Sequence, residues 1–138
     1  MMLNRSITRF ALCLVAFLLG AIVALGGEPE IQQVDFHFLA PNTEIRLRTE
    51  TQILDLKIVD PDQGIAIVRI SRDGREFASP RSVILLGATQ GRQQGALSLV
   101  EMGVIRQGLK LELGIGDLRV ENRVHTKKLM RVELVKKK

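Results

Sequence analysis

The chain has 138 residues, 46% of them hydrophobic, with 20 Lys and Arg against 15 Asp and Glu for a net charge of +5. A single cysteine excludes an internal disulfide, and two histidines without a cysteine cluster disfavour a zinc site of ordinary composition. There is no Trp or Tyr and there are only five Phe, which leaves little material for stacking nucleic-acid bases or sugar rings.

Residues 1–27, MMLNRSITRFALCLVAFLLGAIVALGG, place Arg5 and Arg9 before an uncharged apolar run from Phe10 to Leu25. Ala24 and Gly26 then stand where small residues precede a cut, so the segment has the three-part layout of a secretory signal peptide. The alternative is an uncleaved anchor over residues 10–25. That run is interrupted by Gly20 and is shorter than the roughly 20 apolar residues a bilayer core needs. In both cases the positive flank stays in the cytoplasm, so the remaining chain is expected in the periplasm or outside the cell. Cys13 lies inside the apolar run and not at its end, so lipidation there is not expected. Residues 28–138 are then expected to form one cysteine-free domain. They hold 18 basic and 15 acidic residues, a net charge of +3 that by itself implies no polyanionic partner.

Glu28–Gln33 reads as a polar lead-in. In Val34-Asp35-Phe36-His37-Phe38, alternation puts both Phe on a core face and Asp35 and His37 on a wet one. Pro41-Asn42 breaks the chain. Ile45 and Leu47 then alternate with Arg46 and Arg48, and Leu54, Leu56 and Ile58 alternate with Asp55 and Lys57. Asp60-Pro61-Asp62-Gln63-Gly64 closes that strand, with the aspartates as turn formers. Ile65–Ile70 is apolar on both faces, and Arg72-Asp73-Gly74 is a hairpin-turn signal. Phe77 is expected in the core, Ser79-Pro80 marks a break, and Val83–Leu86 is again apolar on both faces. Gly87–Gly95, GATQGRQQG, reads as a polar loop. Leu109, Leu111 and Leu113 alternate with Lys110 and Glu112; Gly114–Gly116 and a polar turn holding His125 follow. Met130, Val132 and Leu134 close the series, alternating with Arg131 and Glu133. The sum is seven to nine short antiparallel strands, an all-β sandwich or small barrel, with no amphipathic helix capped at both ends.

Two segments carry a resemblance. ILDLKIVDPDQGIAIVRISRDGREF is similar to the middle of bacterial immunoglobulin-like domains, with an alternating strand, an Asp turn, a second strand and an Asp-Gly hairpin. QGLKLELGIGDLRVENRVHTKKLMRVELV resembles the final hairpin of the same modules through Gly108, Leu109, Leu111, Leu113, Asp117, Asn122, Met130, Val132 and Leu134. The resemblance implies an immunoglobulin-like β-sandwich. The chain departs from the antibody pattern in lacking Trp, a cysteine pair and a Tyr for a tyrosine corner. A second resemblance, through GDLRVEN, is to the β-clip domain of flagellar and pilus assembly chaperones.

Catalytic material is sparse. Ser71, Ser79, Ser82 and Ser98 lack a glycine-flanked elbow, so no serine nucleophile is expected. Asp60, Asp62 and Asp117 could together hold a calcium ion, but that ion prefers more oxygen ligands than these loops supply. No enzyme activity and no cofactor are expected. The basic segment Arg123, Lys127, Lys128, Arg131, Lys136, Lys137 and Lys138, against the single acid Glu133, is a candidate patch for an anionic surface such as phospholipid or lipopolysaccharide headgroups. It also reads as a solvated final strand whose lysines discourage stray strand pairing. The favoured expectation is an exported, non-enzymatic module that contacts another envelope or secreted protein, through an edge strand or the Gly87–Gly95 segment. The alternative is an assembly chaperone that donates an edge strand to an exported fibre.

Overall fold

A computed structural model describes residues 29–94 and 97–135. The leader, and with it the signal-peptide reading, lies outside the described residues, as do Lys136, Lys137 and Lys138. The described chain is mostly antiparallel β, and its only helical segments among the described residues are two short 3-10 turns.

Ten strands follow in order: β1 (Gln33–Asp35), β2 (Glu44–Arg48), β3 (Ile53–Asp60), β4 (Ile65–Ser71), β5 (Arg81–Gln94), β6 (Leu97–Met102), β7 (Val104–Arg106), β8 (Lys110–Gly114), β9 (Arg123–His125) and β10 (Arg131–Val135). A small sheet pairs β1 with β7, and the large one runs β10-β2-β3-β4-β5-β8-β9 with β6 added on β5. The alternation read in the sequence is the one the sheet uses. Ile45 and Leu47 on β2 lie opposite Leu56 and Leu54 on β3, and all four are buried. Ala66 and Val68 of β4, Val83 and Leu85 of β5, and Leu111 and Leu113 of β8 join them in one core with Val132 of β10. Burying large side chains from both halves of the sheet is the main favourable term holding it together, at about 1.5–3 kcal/mol for each fully buried one.

Several expectations need correction. Phe36–Phe38 is not a strand but a 3-10 turn, begun by the Asp35 carboxylate accepting the His37 N–H at 3.1 Å. The tighter turn splits the two phenylalanines, so Phe36 is fully buried while Phe38 is 87% exposed. The lead-in is also not free. Ile31 N–H donates to Val132 O at 2.8 Å and Leu134 N–H donates to Pro29 O at 3.1 Å, so residues 29–31 line the outer edge of β10. Glu133, expected on the wet face, is buried, with Arg48 and Arg131 against its carboxylate. Glu112, likewise expected wet, is buried on β8, whereas Met130 lies just before β10 and is half exposed. Arg72-Asp73-Gly74 does turn the chain back, bridging Ser71 to Phe77, but it does not lead straight into β5, because residues 72–80 separate β4 from β5. His125 ends β9 and is not in the turn beyond it, though it is exposed.

The core period can be checked on one strand. Leu56→Ala, at a position 1% exposed, is expected to lower the unfolding free energy by about 2–5 kcal/mol. Val59→Ala, 41% exposed on the same strand, is expected to stay within about 0.5 kcal/mol of the parent. Denaturant titration of the two variants measures the difference.

Candidate functional site

Two surfaces gather chemistry, and the first is a charged row across the outer face of the sheet. Because registers align, Glu133 of β10 faces Arg46 of β2, Arg46 faces Asp55 of β3, and Asp55 faces Arg69 of β4. Opposite charges on facing strands attract, and here the geometry is a fork. Arg46 Nε and Nη2 donate to the two Asp55 carboxylate oxygens at 2.8 and 3.0 Å. Arg69 Nη2 lies 4.0 Å from the same carboxylate. The Phe77 ring sits below both guanidiniums, 6.0 Å from Arg46 and 5.1 Å from Arg69. Phe77 is therefore a cation platform on the outer face and not the core residue expected from the sequence. On the next row Arg48 and Arg131 stand opposite each other, and their like charges are reconciled by Glu133. Arg48 Nε donates to Glu133 Oε1, and Arg131 Nε lies 3.5 Å from that oxygen.

A groove of about 500 Å³ runs over this face, with Glu44, Lys57, Ile67 and Pro80 beside the Arg46–Asp55 pair. None of its lining side chains is a thiol, hydroxyl or imidazole. The arrangement offers ion pairs that are already satisfied within the sheet.

The second surface is the β5–β6 hairpin. GATQGRQQ is not a loop but the second half of β5, paired to β6 along one edge and to β8 along the other. Two glycines permit this. A Cβ at Gly87 would collide with the Glu101 carbonyl of β6, so the close approach of the strands requires its absence. Gly91 adopts φ +80° within a bulge, where residues 90–92 stand opposite Leu99 alone. Thr89 locks the bulge: its hydroxyl donates to Leu99 O at 2.7 Å and accepts the Gly91 N–H at 2.9 Å.

Among the described residues β6 is bonded only to β5, so its other edge presents unpaired backbone. Leu99 and Met102 on it are 57% and 65% exposed. Beside Leu99 lies a cleft of about 420 Å³, lined also by Val100 and Leu109. It continues through Thr89, Gln90 and Leu109 into a recess of about 230 Å³ that Lys110 and Lys128 line. The surface therefore combines a free strand edge, an apolar strip and two ammonium groups.

The sequence-expected basic patch is distributed unevenly. Lys127 and Lys128 are exposed in the turn before β10. Arg123 Nε donates to Leu118 O at 2.7 Å, and Arg131 is turned to Glu133. Lys128 is the member that reaches the hairpin recess. Lys110, Leu99 and Leu109 were missed as site residues, because the glycines of 87–95 hid the strand that brings them together. Of the aspartates singled out as ion ligands, Asp60 and Asp117 serve local structure. Asp60 accepts the N–H groups of Asp62 and Gln63 at 3.1 and 3.3 Å. Asp117 accepts from Asn122 Nδ2 at 2.7 Å and from the Arg119 N–H at 2.9 Å.

Those two bonds, the Asn122 amide first, hold the Asp117 carboxyl below its ordinary value of 3.8. A carboxyl depressed on folding contributes stability above its unfolded pKa and loses it as pH falls through the lower folded value. Asp117→Asn is therefore expected to be less stable than the parent at neutral pH, with the gap closing below about pH 4; denaturation midpoints from about pH 5 down to about pH 2 measure it. Asp55→Ala removes the acceptor shared by Arg46 and Arg69 and is expected to cost about 1–3 kcal/mol, against about 0.5 or less for exposed Lys57→Ala, in the same denaturation assay.

Comparison with family models, with curated proteins and with solved structures returned no match to this chain.

Proposed function

We propose that the chain is an exported, non-enzymatic β-sandwich module that binds another envelope protein by strand addition along β6. The address rests on the residue pattern of the leader, and the immunoglobulin-like reading of the sandwich rests on the strand and turn motifs in the sequence. The observation that supports the binding mode is the β6 edge: one side bonded to β5, the other open, with Leu99 and Met102 exposed on the strand and the Lys110–Lys128 recess reached through the cleft across β5. An extended segment laid there gains main-chain hydrogen bonds from the edge and side-chain selectivity from what flanks it. An apolar strip next to two ammonium groups favours a partner strand in which apolar and acidic residues alternate.

The test is a photo-crosslinking residue placed at Leu99 in the full chain in intact cells, with Val59 as the exposed apolar comparison. A discrete adduct is expected at Leu99 and not at Val59, weakening about tenfold when Lys110→Glu and Lys128→Glu are combined. Adducts that are absent at Leu99, equal at both positions, or indifferent to the lysine reversals would overturn the reading.

A further inference from the structure

The core is not sealed at one end. Ile70 of β4 stands opposite Leu54 of β3 and shares its inward face, yet Leu54 is 4% exposed and Ile70 is 37% exposed. Across from it, Val124 of β9 stands opposite Leu113 of β8, again on the inward face, and is 45% exposed. Between these two lips a cleft of about 170 Å³ opens, floored by Leu54, Val68, Val83 and Leu113. These are core side chains left accessible because β4 and β9 belong to different halves of the folded sheet and are not paired to each other.

Gln52, His125 and Thr126 also line this mouth, and Arg81 is its one guanidinium. Arg81 is the first residue of β5 and faces Val68 across the ladder, so alternation places it on the same inward side as Val83. It lines the cleft and is exposed at its entrance. None of the ion pairs among the described residues involves Arg81, and no carboxylate lines the cleft. A cation on the inward side of a strand, beside accessible core and without an acid, matches a ligand that has an apolar body and an anionic end. Volume narrows the class further. Apolar cavities of about 150 Å³ stay dry and admit one molecule the size of benzene. A cleft of about 170 Å³ thus has room for one short chain and not for the paired chains of a phospholipid.

We propose that this cleft binds a single-chain anionic amphiphile, its alkyl end against Val83 and Leu113 and its carboxylate on the Arg81 guanidinium. The site is separate from the β6 edge, so it stands or falls independently of the partner reading. Each methylene that enters the cleft tightens binding about fourfold until the space is filled.

The experiment titrates the full chain, with its methyl groups isotope-labelled, with octanoate, octanol and octyltrimethylammonium, which share a tail and differ in the head. Octanoate is expected to shift the methyl resonances of Ile70, Val83, Leu113 and Val124 and to bind about tenfold more tightly than octanol, with the cationic analogue weakest. Arg81→Gln is expected to abolish the preference for octanoate while leaving octanol binding unchanged, and the retained octanol binding also reports that the variant is folded. Resonance shifts that are absent with octanoate, or equal affinity for the anionic and cationic heads, would overturn the proposal. So would shifts produced by phosphatidylglycerol vesicles and not by octanoate, which would instead make the same arginine part of a membrane-facing surface.

Discussion

Every other part of the architecture depends on β5 serving two neighbours along one edge while holding a third along the other. Its first residues pair with β4, its later ones with β6, and β8 runs along the opposite side. The handover happens between Leu85 and Gly87, where the ladder with β8 shifts register. A strand that bends there can leave the β2-β3-β4 half and enter the β6-β8-β9 half without breaking its hydrogen bonds. Leu85 and Leu86 on either side of the bend are both buried, as expected where the chain turns through its own core. Gly87 follows at once because β6 passes too close for any side chain. The exposed hairpin and the unsealed mouth at Ile70 and Val124 both follow from this geometry. The later part of β5 extends beyond β4, and the start of β5 extends beyond β8.

The fold was legible where the chemistry is periodic and obscured where glycine changes its meaning. Ile45, Leu47, Leu54, Leu56 and Ile58 announced two half-buried strands, and the structure pairs them in the register that their alternation requires. The Asp60 turn was equally readable, since an aspartate oxygen accepting N–H groups two and three residues on is a local event. GATQGRQQG misled because glycine and glutamine usually mark a connection. Here the glycines permit close strand approach and a bulge, and neither requirement appears in the residues themselves. Phe36 and Phe38 misled for a related reason: a single carboxylate, Asp35, shifts the local period from two to three and sends the rings in opposite directions.

Charged residues were the least legible of all. Alternation assigned Glu133 and Glu112 to water, but a sheet face is wet only if nothing lies over it. Residues 29–31 lie along β10 beside Glu133, and Arg48 supplies its counter-charge from a strand far away in sequence. The same blindness applied to the candidate sites. The basic run near the C-terminus was conspicuous as composition, yet it scatters into an arginine held by a carbonyl, another held by a carboxylate and a lysine at the hairpin recess. Arg81, unremarkable in the sequence, becomes distinctive only once its ladder partner shows that it points inward.

The bonds between residues 29–31 and β10 have a consequence for the order in which the molecule can be assembled. Hairpins such as β2–β3 and β3–β4 join near neighbours and can close as soon as they are made. The bridge of Glu30 with Glu133 joins opposite ends of the described chain, so the entropy of closing nearly all of that chain is spent before the contact is gained. Until the final strand is present, the edge of β2 that β10 covers is bare, and Glu133 has not yet met Arg48. The last described strand and the first described residues thus hold each other. A chain with either end held back would remain open along that seam and close only on release.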